Sequence, residues 1–156
     1  SSFAAQNLGA GLEERVRAGL KASVKLALVL AVPFFAAFFF GGRLMLSLFM
    51  NEGSTVAMET GMMFLRIVSP FYFVISIKLM VDGVLRGAGA MAAFMTATFT
   101  DLILRVVLAY IFSPLFGTLG IWLSWPVGWI VAAVLSVIFY KKGVWRNRSV
   151  TGGKEE

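Results

Sequence analysis

Charged side chains at a spacing of four residues interrupt two apolar stretches of this 156-residue sequence. Lys78, Asp82 and Arg86 fall on one face of a predicted helix, and Asp101 and Arg105 fall on one face of the next. A carboxylate one turn from a base can form an ion pair, and in a cavity it can also bind and release a small cation. These residues therefore predict a site for a coupling ion or a proton.

The amino-acid composition argues against an enzyme. The sequence contains neither His nor Cys. Lack of His removes the commonest general base and metal ligand, and lack of Cys removes thiol nucleophiles, thiolate ligands and disulfides. The sequence also has no phosphate-binding loop, nucleophile elbow or metal-ligand cluster. We therefore predict that the chain is not an enzyme and that it holds no metal and no cofactor.

The elements that must position the charged residues are membrane-spanning helices. The sequence is 59% hydrophobic and 14% charged, whereas soluble domains are roughly 45–50% apolar and about 25% charged. We predict an all-α membrane protein in which residues 1–23 form a connector with a short interfacial helix at 9–23, and residues 141–156 form a polar, disordered tail. The four transmembrane helices are predicted at about 24–42, 55–85, 91–112 and 119–140.

Basic residues indicate the orientation of these helices. Four spans place both ends of the chain on one side of the membrane. Only Arg43 falls on the opposite side, and Arg66, Lys78 and Arg105 fall within spans. The positive-inside rule therefore predicts that both ends are cytoplasmic. Because the bases lie at helix ends, we expect no nucleic-acid partner. The bases on the side of the termini are Arg15, Arg17, Lys21, Lys25, Arg86, Lys141, Lys142, Arg146, Arg148 and Lys154.

Each charged group within a span has two interpretations. A charge at the centre of a membrane helix costs about 2.5–3.5 kcal/mol on insertion scales, so it needs a partner or a water-filled cavity. Lys78, Asp82 and Arg86 form either a coupling-ion site or a ladder of charges near the cytoplasmic end of the helix. Asp101 and Arg105 form a local ion pair, or the Asp101 carboxylate responds to cation binding. Lys78, Asp82, Asp101 and Arg105 are also candidates for contact with the substrate.

Prolines and large apolar residues supply two further hypotheses. Pro33 predicts a kink in the first span, and Pro70 frees a backbone carbonyl near Arg66, which indicates either a gating hinge or a packing kink. Residues 51–54 predict a loop in which Ser54 caps the next helix. The aromatic and Met side chains form either a pocket for apolar cations or ordinary lipid-facing surface. They are Phe34, Phe35, Phe38, Phe39, Phe40, Met62, Met63, Phe71 and Phe73.

Five short motifs occur in order along the chain. They are the segment Ala4–Gly11, the "LRI-x-x-PF" helix Leu65–Tyr72, the "G-x-LRGAG" turn Gly83–Gly89, and the segments Arg105–Tyr110 and Gly120–Trp122. In order and spacing these motifs resemble those of the multidrug and toxic compound extrusion (MATE) transporters. The resemblance rests on their common order and spacing, because each motif alone is modest, and it covers nearly the whole chain up to about Arg146.

The resemblance implies a protein of twelve helices in two six-helix lobes. The four spans would be helices nine to twelve, part of the second lobe, so we expect a fragment whose partners are the remaining helices, including the N-terminal lobe, and membrane lipid. It also implies exchange of Na⁺ or H⁺ for small organic cations across a bacterial inner membrane. One position departs from the family: some members carry an acidic residue near the position of Ile75, which is apolar here.

Two alternatives to a cation exporter remain open at this point. The first is a lipid-linked oligosaccharide flippase of the same superfamily, for which Arg66, Lys78 and Arg105 would face the cavity. The second is a membrane scaffold that packs against other helices and transports nothing.

Overall fold

The computed structural model describes residues 1–49 and 55–146. Every regular element among these residues is helical, and four segments are long and apolar enough to cross a membrane. The prediction of an all-α membrane protein with four transmembrane helices is therefore confirmed. The helices are α1 Ser2–Gly9, α2 Glu13–Ser47, α3 Thr55–Val68, α4 Tyr72–Gly87, α5 Met91–Phe116 and α6 Thr118–Lys141.

Helix α2 is longer than the first predicted span. It continues without a break through the segment expected to be a separate interfacial helix at 9–23, because nothing between Ser23 and Val24 interrupts helical hydrogen bonding. Glu13 and Glu14 lie in its first turn, where acidic side chains favour a helix start. The separate short helix is α1 instead, and Gly11, with φ of +71°, lies between the two.

The second membrane segment consists of two helices. A 3-10 turn at Ser69–Phe71 joins α3 to α4, and Pro70 lies at its centre. Proline cannot donate the backbone hydrogen bond that an α-helix requires, so the break falls at this residue. The third membrane helix is predicted to end at about residue 112, but α5 continues to Phe116, and only Gly117, whose φ is +60°, separates it from α6.

Helix α6 packs against α3, α4 and α5, and α2 packs against α3 and α4. Small side chains let neighbouring helices approach α6 closely. A Cβ atom built on Gly120 would lie 2.3 Å from the carbonyl oxygen of Phe112. A buried stripe of small residues recurs every fourth position along this helix, comprising Gly120, Ser124, Gly128, Ala132 and Ser136.

Replacement of Gly120 by Ala is expected to destabilise the protein by about 1–3 kcal/mol, because the backbone of α5 must move to admit the methyl group. The matched control is Gly41→Ala in α2, where no atom lies within 4 Å of the added carbon. Thermal unfolding in detergent should show a lower Tm for Gly120→Ala and an unchanged or higher Tm for Gly41→Ala. Equal Tm values for the two variants would contradict the close packing of α5 and α6.

Both described ends of the chain lie at the same end of the bundle as the turn between α4 and α5. Gly83 and Gly87 face the start of α1, since a Cβ on Gly87 would lie 2.3 Å from the carbonyl oxygen of Ser1 and a Cβ on Gly83 would lie 3.8 Å from the Ser1 nitrogen. The indole Nε1 of Trp145 donates a hydrogen bond to the carbonyl of Tyr140 at 3.0 Å. The core of this end comprises Ala4, Val16, Leu20, Val81, Val84, Leu85, Ala88, Ala90, Ala93 and Trp145.

Two predictions concern residues outside the described ranges. These are the loop at 51–54 with Ser54 as a helix cap, and the disordered part of the tail beyond Arg146.

Candidate functional site

Lys78, Asp82 and Ser136 form a hydrogen-bonded group where α4 meets α6. The ammonium Nζ of Lys78 donates to Oδ2 of Asp82 at 2.5 Å, and the Ser136 hydroxyl donates to Oδ1 at 2.6 Å. Lys78 and Asp82 are one turn apart on α4, so a helical backbone alone brings them together. Ser136 comes from a different helix, and both carboxylate oxygens of Asp82 are therefore occupied.

All three residues of this group are buried, so the ion pair within it is shielded from water. Lys78 is 5% exposed, Asp82 is 1% exposed, and Ser136 is fully buried. Opposite charges cancel within the pair, and each would be costly to bury alone. Arg86 does not join the group, because its guanidinium lies over the ring of Phe94 at 5.1 Å. Of the two bases that sequence spacing offered to Asp82, the structure pairs it with Lys78.

Asp101 and Arg105 form a second ion pair where α5 meets α6. Nη2 of Arg105 donates to Oδ2 of Asp101. The guanidinium of Arg105 also lies over the ring of Trp125, 4.6 Å from its centroid, which is close enough for a cation–π interaction. Arg105 thus has a carboxylate on its own helix and an aromatic face on α6, which explains how a charge is accommodated on α5.

One oxygen of Asp101 has no partner in the part of the chain that the structure describes. Its Oδ1 is buried and forms no hydrogen bond with any described residue. A Cβ on Gly128 would lie 2.5 Å from this oxygen, so only the absence of a side chain on Gly128 leaves room for it. An unpaired buried acceptor is costly, and such groups are frequent at functional sites. Of the four carboxylate oxygens in the two ion pairs, Oδ1 of Asp101 is therefore the one without a hydrogen-bond partner among the described residues.

The two ion pairs share α6 but do not form one site. Asp101 faces Gly128 and Asp82 faces Ser136, and eight residues of α6 separate these contacts, which corresponds to about 12 Å along the helix axis. Gly128 and Ser136 were not among the candidates from sequence. The recurrence of small residues every fourth position from Gly120 to Ser136 is the signal that identifies this face of α6.

An apolar cavity lies between α2 and α4. Its volume is about 410 Å³, within the size range of small-molecule sites, and it is bordered by Ile75 and Ser76, which lie within one turn of Lys78. The rings of Phe38 and Tyr72, which both line it, meet edge to face with their centroids 5.8 Å apart. The other lining residues are Ala27, Leu30, Ala31 and Phe34. Phe34 and Phe38, from the aromatic and Met set of the sequence analysis, line this cavity.

The predicted hinge residues lie in three separate places. Pro33 lies within α2, which stays helical through it. Pro70 lies in the 3-10 turn, two helical turns before Lys78, and the buried hydroxyl of the adjacent Ser69 has no hydrogen-bond partner among the described residues. Arg66, in the last turn of α3, faces a second cavity at the opposite end of the bundle from Trp145.

Comparisons with known proteins place the chain in a family. The sequence model of the MatE family matches residues 1–111. The chain is 29% identical over 147 residues to the probable multidrug resistance protein YpnP of Bacillus subtilis (strain 168), an alignment that covers 94% of the chain. The chain spans about a third of that relative's length. No solved structure matches. Because the family model covers well over half of the residues, this chain belongs to the MatE family, and it is an integral membrane protein.

Proposed function

We propose that this chain is part of a secondary active exporter that expels organic cations in exchange for Na⁺ or H⁺. The membrane is a bacterial inner membrane, and both ends of the chain lie in the cytoplasm. The observation that carries the proposal is the buried Lys78–Asp82 pair at the contact of two membrane helices, in a chain of the MatE family. The multidrug resistance name of the Bacillus relative supports a cargo of drug molecules.

Competition for Asp82 couples the ion to the transporter. A proton or Na⁺ that binds the carboxylate displaces the Lys78 ammonium from Oδ2 and weakens the hydrogen bond that Ser136 donates to Oδ1. Since Ser136 is the polar link from α6 to this pair, the change loosens α4 from α6. The 3-10 turn at Ser69–Phe71 lacks regular α-helical hydrogen bonds, so α4 bends relative to α3 at this point.

Net charge explains why exchange is obligatory. With Lys78 and Asp82 paired, the group is neutral. When a proton or Na⁺ occupies Asp82, the group carries one positive charge, and in a low-dielectric environment it repels a second cation nearby. The organic cation and the coupling ion therefore bind alternately, which is the requirement for exchange of one for the other across the membrane.

The cavity between α2 and α4 is the proposed contact surface for the organic cation. Its aromatic faces, Phe34, Phe38 and Tyr72, attract positive charge through their ring quadrupoles and cover the apolar body of the cargo. Ile75 and Ser76 connect this cavity to the turn of α4 that carries Lys78. Asp101 is a second candidate for the coupling ion, because one of its oxygens is free.

Ethidium efflux from cells that express the complete natural protein containing this sequence tests the proposal. Efflux should collapse when the Na⁺ gradient is removed if Na⁺ is the coupling ion, or when an uncoupler is added if H⁺ is. Efflux that persists without either gradient would contradict secondary transport. No efflux from a correctly inserted protein would favour the flippase or the scaffold.

A further inference from the structure

A second cavity lies at the end of the bundle opposite Trp145, between α2, α3 and the start of α6. Its volume is about 1250 Å³. Unlike the cavity between α2 and α4, it contains charged side chains from two helices: Arg43 from α2, and Glu59 and Arg66 from α3. The cavity is large enough for a small organic molecule, and the charged side chains of its lining indicate the charge of such a ligand.

Close packing of α2 on α3 brings the two arginines to the same cavity. A Cβ on Gly42 would lie 3.1 Å from Cδ1 of Leu65, so α2 and α3 are tightly packed at this level. Arg43 directly follows Gly42 in the chain, and Arg66 directly follows Leu65. Both arginines therefore lie one residue beyond a contact between α2 and α3, and both line the cavity.

Neither guanidinium is neutralised by a partner among residues 1–49 and 55–146. The ion pairs of this part of the chain involve Arg17, Lys78, Arg105 and Arg146, and neither Arg43 nor Arg66 donates a side-chain hydrogen bond within it. Arg66 belongs to a membrane segment, where an unpaired charge is retained only beside water or a ligand. Two arginines and Glu59 give the cavity lining one net positive charge.

Apolar and polarizable surface surrounds these charges. Glu59, Met62, Met63 and Arg66 lie on one face of α3, at the three- and four-residue spacing of a helix. Methionine side chains adapt to ligands of varied shape, and guanidinium groups bind carboxylate or phosphate oxygens in pairs. The remaining lining residues are Phe40, Leu44, Ser47, Thr55, Met58, Ile67 and Leu119.

We propose that this cavity binds an amphipathic organic anion. Its carboxylate or phosphate lies between Arg43 and Arg66, and its apolar body lies on the methionines and Phe40. The ligand is of opposite charge to the proposed cargo, so this inference goes beyond the proposed export of cations and does not depend on it. The same chemistry fits the phosphate group of a membrane lipid and a soluble amphipathic anion.

Displacement of a fluorescent fatty-acid anion, dansyl-undecanoate, from the complete natural protein in detergent tests the proposal without any mutation. Decanoate and decyl phosphate should displace the probe, and decyltrimethylammonium, which has a chain of the same length and opposite charge, should not. Displacement by the cation as effectively as by the anions would overturn the proposal.

Charge variants then locate the site. Arg43→Gln and Arg66→Gln should each raise the Kd of the probe about tenfold, and Glu59→Gln should lower it, because removal of the acidic side chain removes repulsion. The matched control is Arg15→Gln, an exposed arginine at the opposite end of the bundle, which should leave the Kd unchanged. Equal Kd values for the wild type and both arginine variants would place the probe elsewhere and overturn the proposal.

Nanodiscs distinguish the two sources of the anion. In phosphatidylglycerol nanodiscs, a lipid occupant should weaken binding of the probe relative to phosphatidylcholine nanodiscs, and this difference should vanish in Arg43→Gln. A soluble anion as the natural ligand predicts the same Kd in both nanodiscs, still raised by Arg43→Gln. A probe that binds in neither nanodisc, although the protein is folded, would contradict the site.

Discussion

Asp82→Asn is expected to abolish gradient-driven efflux and to destabilise the protein by about 3–5 kcal/mol, because it leaves the buried ammonium of Lys78 without its counter-charge. Thermal unfolding in detergent measures the loss of stability, and ethidium efflux measures the loss of transport. The control is Glu14→Gln, whose carboxylate is 86% exposed and also pairs with a base on its own helix. The control should change neither quantity, since exposed pairs contribute about 0–1 kcal/mol.

Loss of stability alone could account for lost transport in that variant, so a second variant separates the two. Lys78→Met combined with Asp82→Leu replaces both charges by apolar side chains. Replacement of a complete buried ion pair by apolar residues is often neutral or stabilising, so the double variant should unfold near the wild-type Tm. If the double variant is as unstable as Asp82→Asn, the instability of Asp82→Asn does not come from an unpaired Lys78 charge, and this explanation is wrong.

Asp101→Asn is expected to reduce efflux at least tenfold, at a smaller cost in stability than Asp82→Asn. Arg105 keeps its contact with the Trp125 ring and is partly exposed, so loss of its carboxylate partner costs about 1–3 kcal/mol. Efflux and Tm of the complete natural protein measure the two effects. Reduced transport with folding intact would also argue against the scaffold alternative.

A control for this variant lies one turn away on the same face of α5. The buried hydroxyl of Thr98 has no hydrogen-bond partner among the described residues, so Thr98→Val should leave both efflux and Tm near those of the wild type. Wild-type efflux in Asp101→Asn would show that the Asp101–Arg105 pair serves only to stabilise the helix.

Local patterns in the sequence predict those features that a single helix creates. The length of each apolar run indicates a membrane span, and four-residue spacing pairs Lys78 with Asp82 and Asp101 with Arg105. The end of a span is harder to predict, because a helix continues beyond the bilayer wherever its backbone is unobstructed. This explains the extension of α2 back to Glu13 and of α5 to Phe116.

Contacts between helices depend on information that spacing along one helix does not hold. Ser136 is uncharged and is 54 residues from Asp82, so nothing near either residue predicts their hydrogen bond. Gly128 leaves room for the Asp101 carboxylate because it has no side chain, and this role arises only where α5 packs on α6. The cavity that contains Arg43 and Arg66 likewise exists only after α2 packs on α3.

The most direct test of the central claim is counter-transport by the Lys78→Met, Asp82→Leu double variant of the complete natural protein in proteoliposomes. Ethidium movement is followed under an imposed Na⁺ or H⁺ gradient, with the wild type measured in parallel. If the Asp82 carboxylate exchanges Lys78 for the coupling ion, the double variant will be as stable as the wild type and its ethidium movement will not respond to either gradient. Wild-type gradient-driven transport by the stable double variant would contradict the account and leave the pair a structural contact between α4 and α6.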